Sequence, residues 1–187
     1  VDWNAVARTD VDFVIARVGG RGYTVGAIYD DTKFDEYADG AARAGLQVGA
    51  YFFSQAVSVA EAQEEAYHVL DKLRGHEITG PVVFDWEVIG KREARTYGIE
   101  TGVLCAAANA FCEIIEDAGY DAMIYITDYA GYVKYDLSKV MDYPLWYARY
   151  DVDAPSFYYD FAMWQYSSKG SVDGIKGNVD MDIWFIK

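Results

Sequence analysis

The segment Pro81-Val82-Val83-Phe84-Asp85-Trp86-Glu87 reads as a buried strand that turns acidic at its C-terminal end. Side chains alternate along a strand, so Asp85 and Glu87 share one face and Trp86 takes the other. Working outward, strand-like and helix-like stretches alternate. Upstream, residues 13–18 form an apolar, β-branched run that stops at Gly19-Gly20, and residues 47–54 form the next strand. Between them Thr32 is placed to cap a helix with Phe34, Tyr37, Ala38 and Ala41 on one stripe, closed by Gly45. Ser58 and Glu61 have the spacing of a capping box. They open a helix with Ala62, Ala66, Val69, Leu70 and Leu73 at helical intervals, ending near Gly75. Downstream, Thr101 caps a long helix with Leu104, Ala108, Phe111, Ile115 and Ala118 inward, stopped by Gly119. Strands follow at residues 122–127, 145–150, 161–167 and 179–185, the last three joined by loops without a long helix.

Such alternation implies parallel strands joined by crossover helices. The expected fold class is α/β, an irregular β/α (TIM-like) barrel whose C-terminal strands are poor in helices. A flavodoxin-like open sheet is the competitor. The barrel is preferred because the glycines of Arg17-Val18-Gly19-Gly20-Arg21-Gly22 lack dinucleotide-loop spacing.

The chain has 187 residues, 52% of them hydrophobic, enough for a single domain over residues 1–187 with a sizeable core. No apolar run reaches the length of a membrane-spanning helix, so no membrane insertion is expected. Sixteen Lys and Arg face 30 Asp and Glu, a net charge of −14. That balance repels phosphate backbones and argues against a nucleic-acid partner. Cys105 and Cys112 lie about 10 Å apart if helical, too far for a disulfide. Two scattered histidines, His68 and His76, give neither a metal pattern nor a nucleophile–His pair. No basic segment followed by an apolar one marks a signal peptide, and the sequence starts at Val1.

Chemistry centres on the acidic strand end. In β/α barrels the C-terminal ends of strands carry the active site. Two neighbouring carboxylates there separate their pKa values, one ionised and one protonated. That pairing can protonate a glycosidic oxygen while a negative charge supports an oxocarbenium-like centre. The same letters also suit two solvated acids on a strand end. A second acidic group, Asn178-Val179-Asp180-Met181-Asp182, lies on the last strand, which a closed barrel brings near the first. It leaves Asp180 and Asp182 as alternatives for a third acid. Tyr51 and Phe53, Tyr125, Trp146 and Tyr150, and Gln165 are candidate walls. Eleven of the 17 tyrosines fall between Tyr120 and Tyr166, and Tyr and Trp suit half-wet, sugar-binding clefts.

The order of motifs resembles glycoside hydrolase family 25, the Chalaropsis-type lysozymes found among bacterial, fungal and phage muramidases. Asp2-Trp3 followed by Phe13-Val14-Ile15-Ala16-Arg17 resembles the family's early segment. Gly49-Ala50-Tyr51-Phe52-Phe53 resembles its Gly-x-Tyr-His-Phe/Tyr strand, with Phe52 where His is usual. Asp85-Trp86-Glu87 resembles its Asp-x-Glu, and Trp146-Tyr147-Ala148-Arg149-Tyr150 its Trp-x-Ala-x-Tyr. Trp164-Gln165-Tyr166 and Gly177-Asn178-Val179-Asp180 resemble its closing pair.

The resemblance implies cleavage of the β-1,4 bond between N-acetylmuramic acid and N-acetylglucosamine in bacterial peptidoglycan. Glu87 would be the general acid/base, and Asp85 would stabilise charge by steadying a substrate acetamide. Asp180 would be the third acid, and Arg17 would join the substrate-binding residues. Neither cofactor nor metal is implied, and the expected protein is a monomer, secreted or directed to the cell wall, as phage lysins are. One departure stands out. The family opens with a strand carrying Asp-x-Ser, whose Asp belongs to the catalytic mouth. That strand should precede Asp2-Trp3, and the tail 182–187 carries no copy of it. The expectation is therefore a barrel whose first strand lies upstream of Val1, with an unpaired edge in its place. A non-catalytic wall-glycan-binding module on the same fold is the alternative. A chitinase-like enzyme fits less well, because Val83 stands where that motif has an Asp.

Overall fold

The computed structural model describes residues 1–185, so Ile186 and Lys187 of the tail lie outside it. One eight-stranded sheet carries the chain, in the order β2-β1-β3-β4-β5-β6-β7-β8. The strands are β1 (Phe13–Arg21), β2 (Ile28–Asp30), β3 (Gln47–Ser54) and β4 (Val82–Trp86). They continue with β5 (Ala122–Thr127), β6 (Leu145–Ala148), β7 (Met163–Gly170) and β8 (Val179–Trp184). From β1 through β3 to β7 the pairings are parallel; β2 and β8 are the antiparallel margins. The fold is mixed α/β, a curled eight-stranded half-barrel. Its two sides approach where the Phe13 and Trp184 rings pack edge to face at 5.7 Å, and the Asp2 amide donates to the Gly174 carbonyl at 2.8 Å.

The sheet separates two apolar layers. On its outer face Val82, Phe84 and Trp86 join the main core beneath the helices. On its inner face Val83, Met123, Tyr125, Trp146 and Met163 form a smaller cluster. Helices α2 (Phe34–Arg43), α3 (Val59–Leu73) and α4 (Thr101–Asp117) cover the outside, and a one-turn helix α1 (Trp3–Val6) precedes β1. Phe111 of α4 meets Phe84 of β4 with ring centroids 5.2 Å apart, and both are fully buried. After β5 only a π-helical turn (Ala130–Lys134) and a 3₁₀ turn (Leu137–Lys139) occur, the helix-poor end expected from the sequence.

Helix ends bear out some expectations and correct others. Ser58 accepts from the Glu61 amide at 3.3 Å and caps α3, but Glu61 reaches the Val57 amide at 2.8 Å rather than its own cap residue. Gly45, Gly75 and Gly119 all have positive φ just past helix ends, as the stop signals require. Thr32 is not the cap of α2; Lys33 holds that position without a side-chain bond, and Asp31 Oδ1 accepts from the Lys33 amide instead. Thr101 is the first helical residue of α4 rather than its cap, and Ala118 is exposed beyond its last turn.

Gly19-Gly20 does not end β1. The strand runs on to Arg21, bulged between Arg17 and Gly19, and gains β2 as an antiparallel partner. A Cβ on Gly19 would lie 2.2 Å from the Tyr29 carbonyl oxygen, so the absent side chain lets β2 close up. Cys105 and Cys112 are free and buried within the core, as expected.

Candidate active site

Pairing within the sheet fixes which side chains share the inner face. Asp85 stands opposite Phe53 on one side and Tyr125 on the other; Tyr125 stands opposite Trp146, and Gln165 opposite Asp182. Glu87 lies just past the end of β4, two residues from Asp85 and on the same side. A cavity of about 910 Å³ opens over this face. Its walls include residues 13–17 of β1 on one flank and all of β8 on the other. Among the described residues, no strand pairs with the outer edge of residues 13–17 or of β8, β2 pairing only with residues 19–21 of β1.

The cavity brings together Asp85, Glu87, Asp180, Asp182, Arg17, Tyr51, Tyr125, Trp146, Tyr150 and Gln165. Of the expected wall residues, Phe53 alone is not among its lining, although it faces inward beside Asp85. Trp146 is the floor. Its ring packs edge-on against Tyr125 at 5.1 Å and Tyr51 at 6.3 Å, and its Nε1 donates to Asp182 Oδ1 at 2.8 Å. The phenols of Tyr125, at 3.2 Å, and of Tyr150 both donate to Gln165 Oε1. Those bonds fix the Gln165 amide with its oxygen toward the two phenols.

Asp85 is only 6% exposed, and its Oδ1 is buried without a hydrogen-bond partner. An unpartnered buried carboxylate is costly. Burial, followed by the charges of Glu87 and Asp180, holds its pKa well above the usual carboxylate range, with Arg17 pulling the other way. Glu87 is raised by burial first and by the Asp180 charge second. Asp180, exposed at the cavity rim, is raised by the partial burial of its carboxyl. Burial pushes Asp182 up to about 7 despite the Trp146 bond. Asp180 thus acts on both members of the acid pair, while Asp182 is committed to the floor.

Arg17 is held by Asp31, with Nε and Nη2 both 2.7 Å from Asp31 Oδ2. Asp31 was not legible as a site residue, because it follows β2, a three-residue strand with no periodic signal. No group of three His, Cys, Asp or Glu side chains converges to hold a metal among the described residues.

Comparison with known proteins places this arrangement. The model of glycosyl hydrolases family 25 matches residues 1–175. The chain belongs to that family. It is 31% identical over 183 residues to the autolytic lysozyme of Clostridium acetobutylicum, covering 97% of this chain and 51% of the lysozyme. The chain thus spans about half the length of that relative. Among solved structures, the CTP1L endolysin is 28% identical, with a TM-score of 0.72 over 92% of this chain and 57% of its own. A family 25 glycosyl hydrolase from Bacillus anthracis superposes with a TM-score of 0.80 at 18% identity, covering all of this chain and 84% of its own. At that identity the likeness concerns the family 25 fold alone.

Proposed function

We propose that this chain is a peptidoglycan hydrolase, cleaving the β-1,4 bond between N-acetylmuramic acid and N-acetylglucosamine at the Asp85–Glu87 pair. The observation that carries the reading is that pair: two inward carboxylates at one strand end, raised by burial, in an aromatic-walled cavity that also holds Asp180. Family membership and the similarity to an autolytic lysozyme support the reaction class. The relatives' role at the wall supports a wall-directed location.

The chemistry follows from the positions. Glu87, half-buried at the cavity and raised first by burial and then by the Asp180 charge, enters the reaction protonated. It gives its proton to the glycosidic oxygen as the bond from that oxygen to the anomeric carbon breaks. The 2-acetamido carbonyl oxygen of the substrate attacks the same carbon, a substrate-assisted route outside the usual two-carboxylate scheme. Asp85 acts here as a carboxylate, a form that burial alone disfavours and that the positive charge developing beside it favours; it accepts the acetamide N–H, which orients that oxygen and stabilises the charge forming on the ring it closes. Arg17 favours the ionised form of Asp85 in this step. Glu87, now a carboxylate, takes a proton from water as the water's oxygen bonds to the anomeric carbon. The acetamide is thereby restored, and the product keeps the configuration of the substrate.

The gap between the outer edges of residues 13–17 of β1 and of β8 belongs to the same proposal. A further parallel strand supplied from upstream of Val1 would pair both edges and bring one more acid to the mouth, as the family resemblance implies. The deciding experiment on the core reading is Glu87→Gln. It should reduce reducing-end release from purified peptidoglycan by roughly 10²–10⁴-fold with the fold intact. Turnover at the parental rate would remove Glu87 from the role. Glycan binding without turnover in the parent chain would favour a binding module.

A further inference from the structure

We propose that Gln55 is a positioning residue for Glu87: its buried carboxamide ties the Glu87 backbone carbonyl to the end of β3 and so fixes where the acid stands in the cavity. The proposal rests on the reading of Glu87 as the general acid.

The need for such a tie comes from the sheet. The β3–β4 pairing ends with Ser54 opposite Trp86, so Glu87 lies one residue beyond the ladder. Its carbonyl has no strand partner, and a buried carbonyl left open is costly. Gln55, the first residue after β3, is fully buried and fills that role with a side chain. Its Nε2 donates to the Glu87 carbonyl at 3.0 Å and to the Ser54 carbonyl at 2.9 Å. Two carbonyls can be met only by the NH₂ end, which settles the orientation of the amide. Its Oε1 accepts from Thr96 Oγ1 at 2.8 Å.

The anchor is itself held. The Gln55 carbonyl accepts from Arg95 Nη1 at 2.8 Å, and Arg95 is gripped by both oxygens of Glu61 at 2.6 and 2.8 Å. Ser54 Oγ donates to the fully buried Glu65 at 2.6 Å, and Glu65 accepts from Arg21 Nε at 2.6 Å. One amide therefore joins the end of β3, the end of β4 and the segment leading to α4. None of these groups hydrogen-bonds the Glu87 carboxyl, so Gln55 acts through the backbone alone.

A misplacement of about 1 Å at a reacting group can cost roughly 10²-fold in rate. The groups that act on or are acted on by the Glu87 carboxyl are Asp85 on β4, Asp180 on β8, Tyr125 on β5 and Tyr150 after β6. With the tie removed, the acid gains water, its proton becomes easier to lose, and activity fades at lower pH.

The test is Gln55→Met, which keeps the length of the side chain and removes the amide, beside Thr96→Val, which removes only the hydroxyl that steadies it. Each is compared with the parent on soluble peptidoglycan strands at equal folded concentration across pH. Gln55→Met should lose about 10²-fold in kcat while KM stays within about twofold, and its basic limb should move to lower pH. Thr96→Val should move both readouts the same way by less. If Gln55→Met does not fold, Thr96→Val decides. Parental kcat and an unmoved basic limb per folded molecule would overturn the proposal. Glu87→Gln, run alongside, separates the two claims. Full activity there overturns the acid assignment itself, whereas an inactive Glu87→Gln beside a fully active Gln55→Met overturns only the role of Gln55.

Discussion

The central strands and the two margins of the sheet follow different rules. From β3 to β6 every strand has a parallel neighbour on both sides, and no register shift interrupts the pairings of β3 with β4, β4 with β5 or β5 with β6. At one margin β1 is bulged and takes an antiparallel partner; at the other the β7–β8 pairing shifts register twice. The acid pair Asp85 and Glu87 comes from the centre. The charges that tune it, Arg17 and Asp180, come from the margins. A centre without register shifts carries the proposed reacting groups, and the curled margins wall the cavity and add charges to it.

Core truncations probe the comparison most strongly. Phe111 is fully buried against β4, so Phe111→Ala should cost about 3–5 kcal/mol in urea unfolding. Phe13, half-buried against Trp184 at the open seam, should cost only about 1 kcal/mol as Ala. Equal losses would show the margins to be as tightly built as the centre.

Legibility in the sequence divides along the same line. The inward sharing of Asp85 and Glu87 follows from strand parity, and a continuous buried strand such as β4 makes parity easy to read. Helices α3 and α4 have regular apolar stripes, so their positions were plain even where the capping residue was not. At the margins the local signals mislead. Gly19-Gly20 looks like a strand stop, yet those glycines admit β2 at close range. Asp31 and Gln55 lie in irregular segments next to strands, and the partners that give them meaning, Arg17 and Glu87, are distant in sequence. Tyr150 falls two residues past β6, yet still lines the cavity.

Asp85→Asn is the next test, now on the centre. Removing the carboxylate proposed to accept the substrate acetamide should cost about 10²–10³-fold in turnover. Reducing-end release at equal folded concentration measures it. A loss below tenfold would mean that the centre contributes positioning rather than charge. A smaller effect is expected from completing the seam. Adding an upstream Asp-x-Ser strand should raise turnover roughly tenfold by pairing both open edges and ordering the cavity walls. Equal rates for long and short forms would show the seam to be complete without that strand.

The smallest effect, and the one most specific to the margins, is expected from Asp180→Asn. Asp180 sits on β8, exposed at the rim, and its negative charge raises the pKa of Glu87. In the proposed mechanism Glu87 carries its proton at the start of the reaction, so activity should persist below its pKa and be lost as pH rises through it. Taking away the Asp180 charge lowers that pKa, and the basic limb of kcat/KM should move to lower pH. Well below the limb Glu87 is protonated in both proteins, and their rates should agree within about threefold. Because Asp180 faces solvent, salt screens its charge, so the gap between the two basic limbs should narrow between roughly 0.01 M and 1 M salt. A basic limb that stays in place at low salt would mean that β8 does not tune the acid, and that the centre sets its own pKa through burial alone.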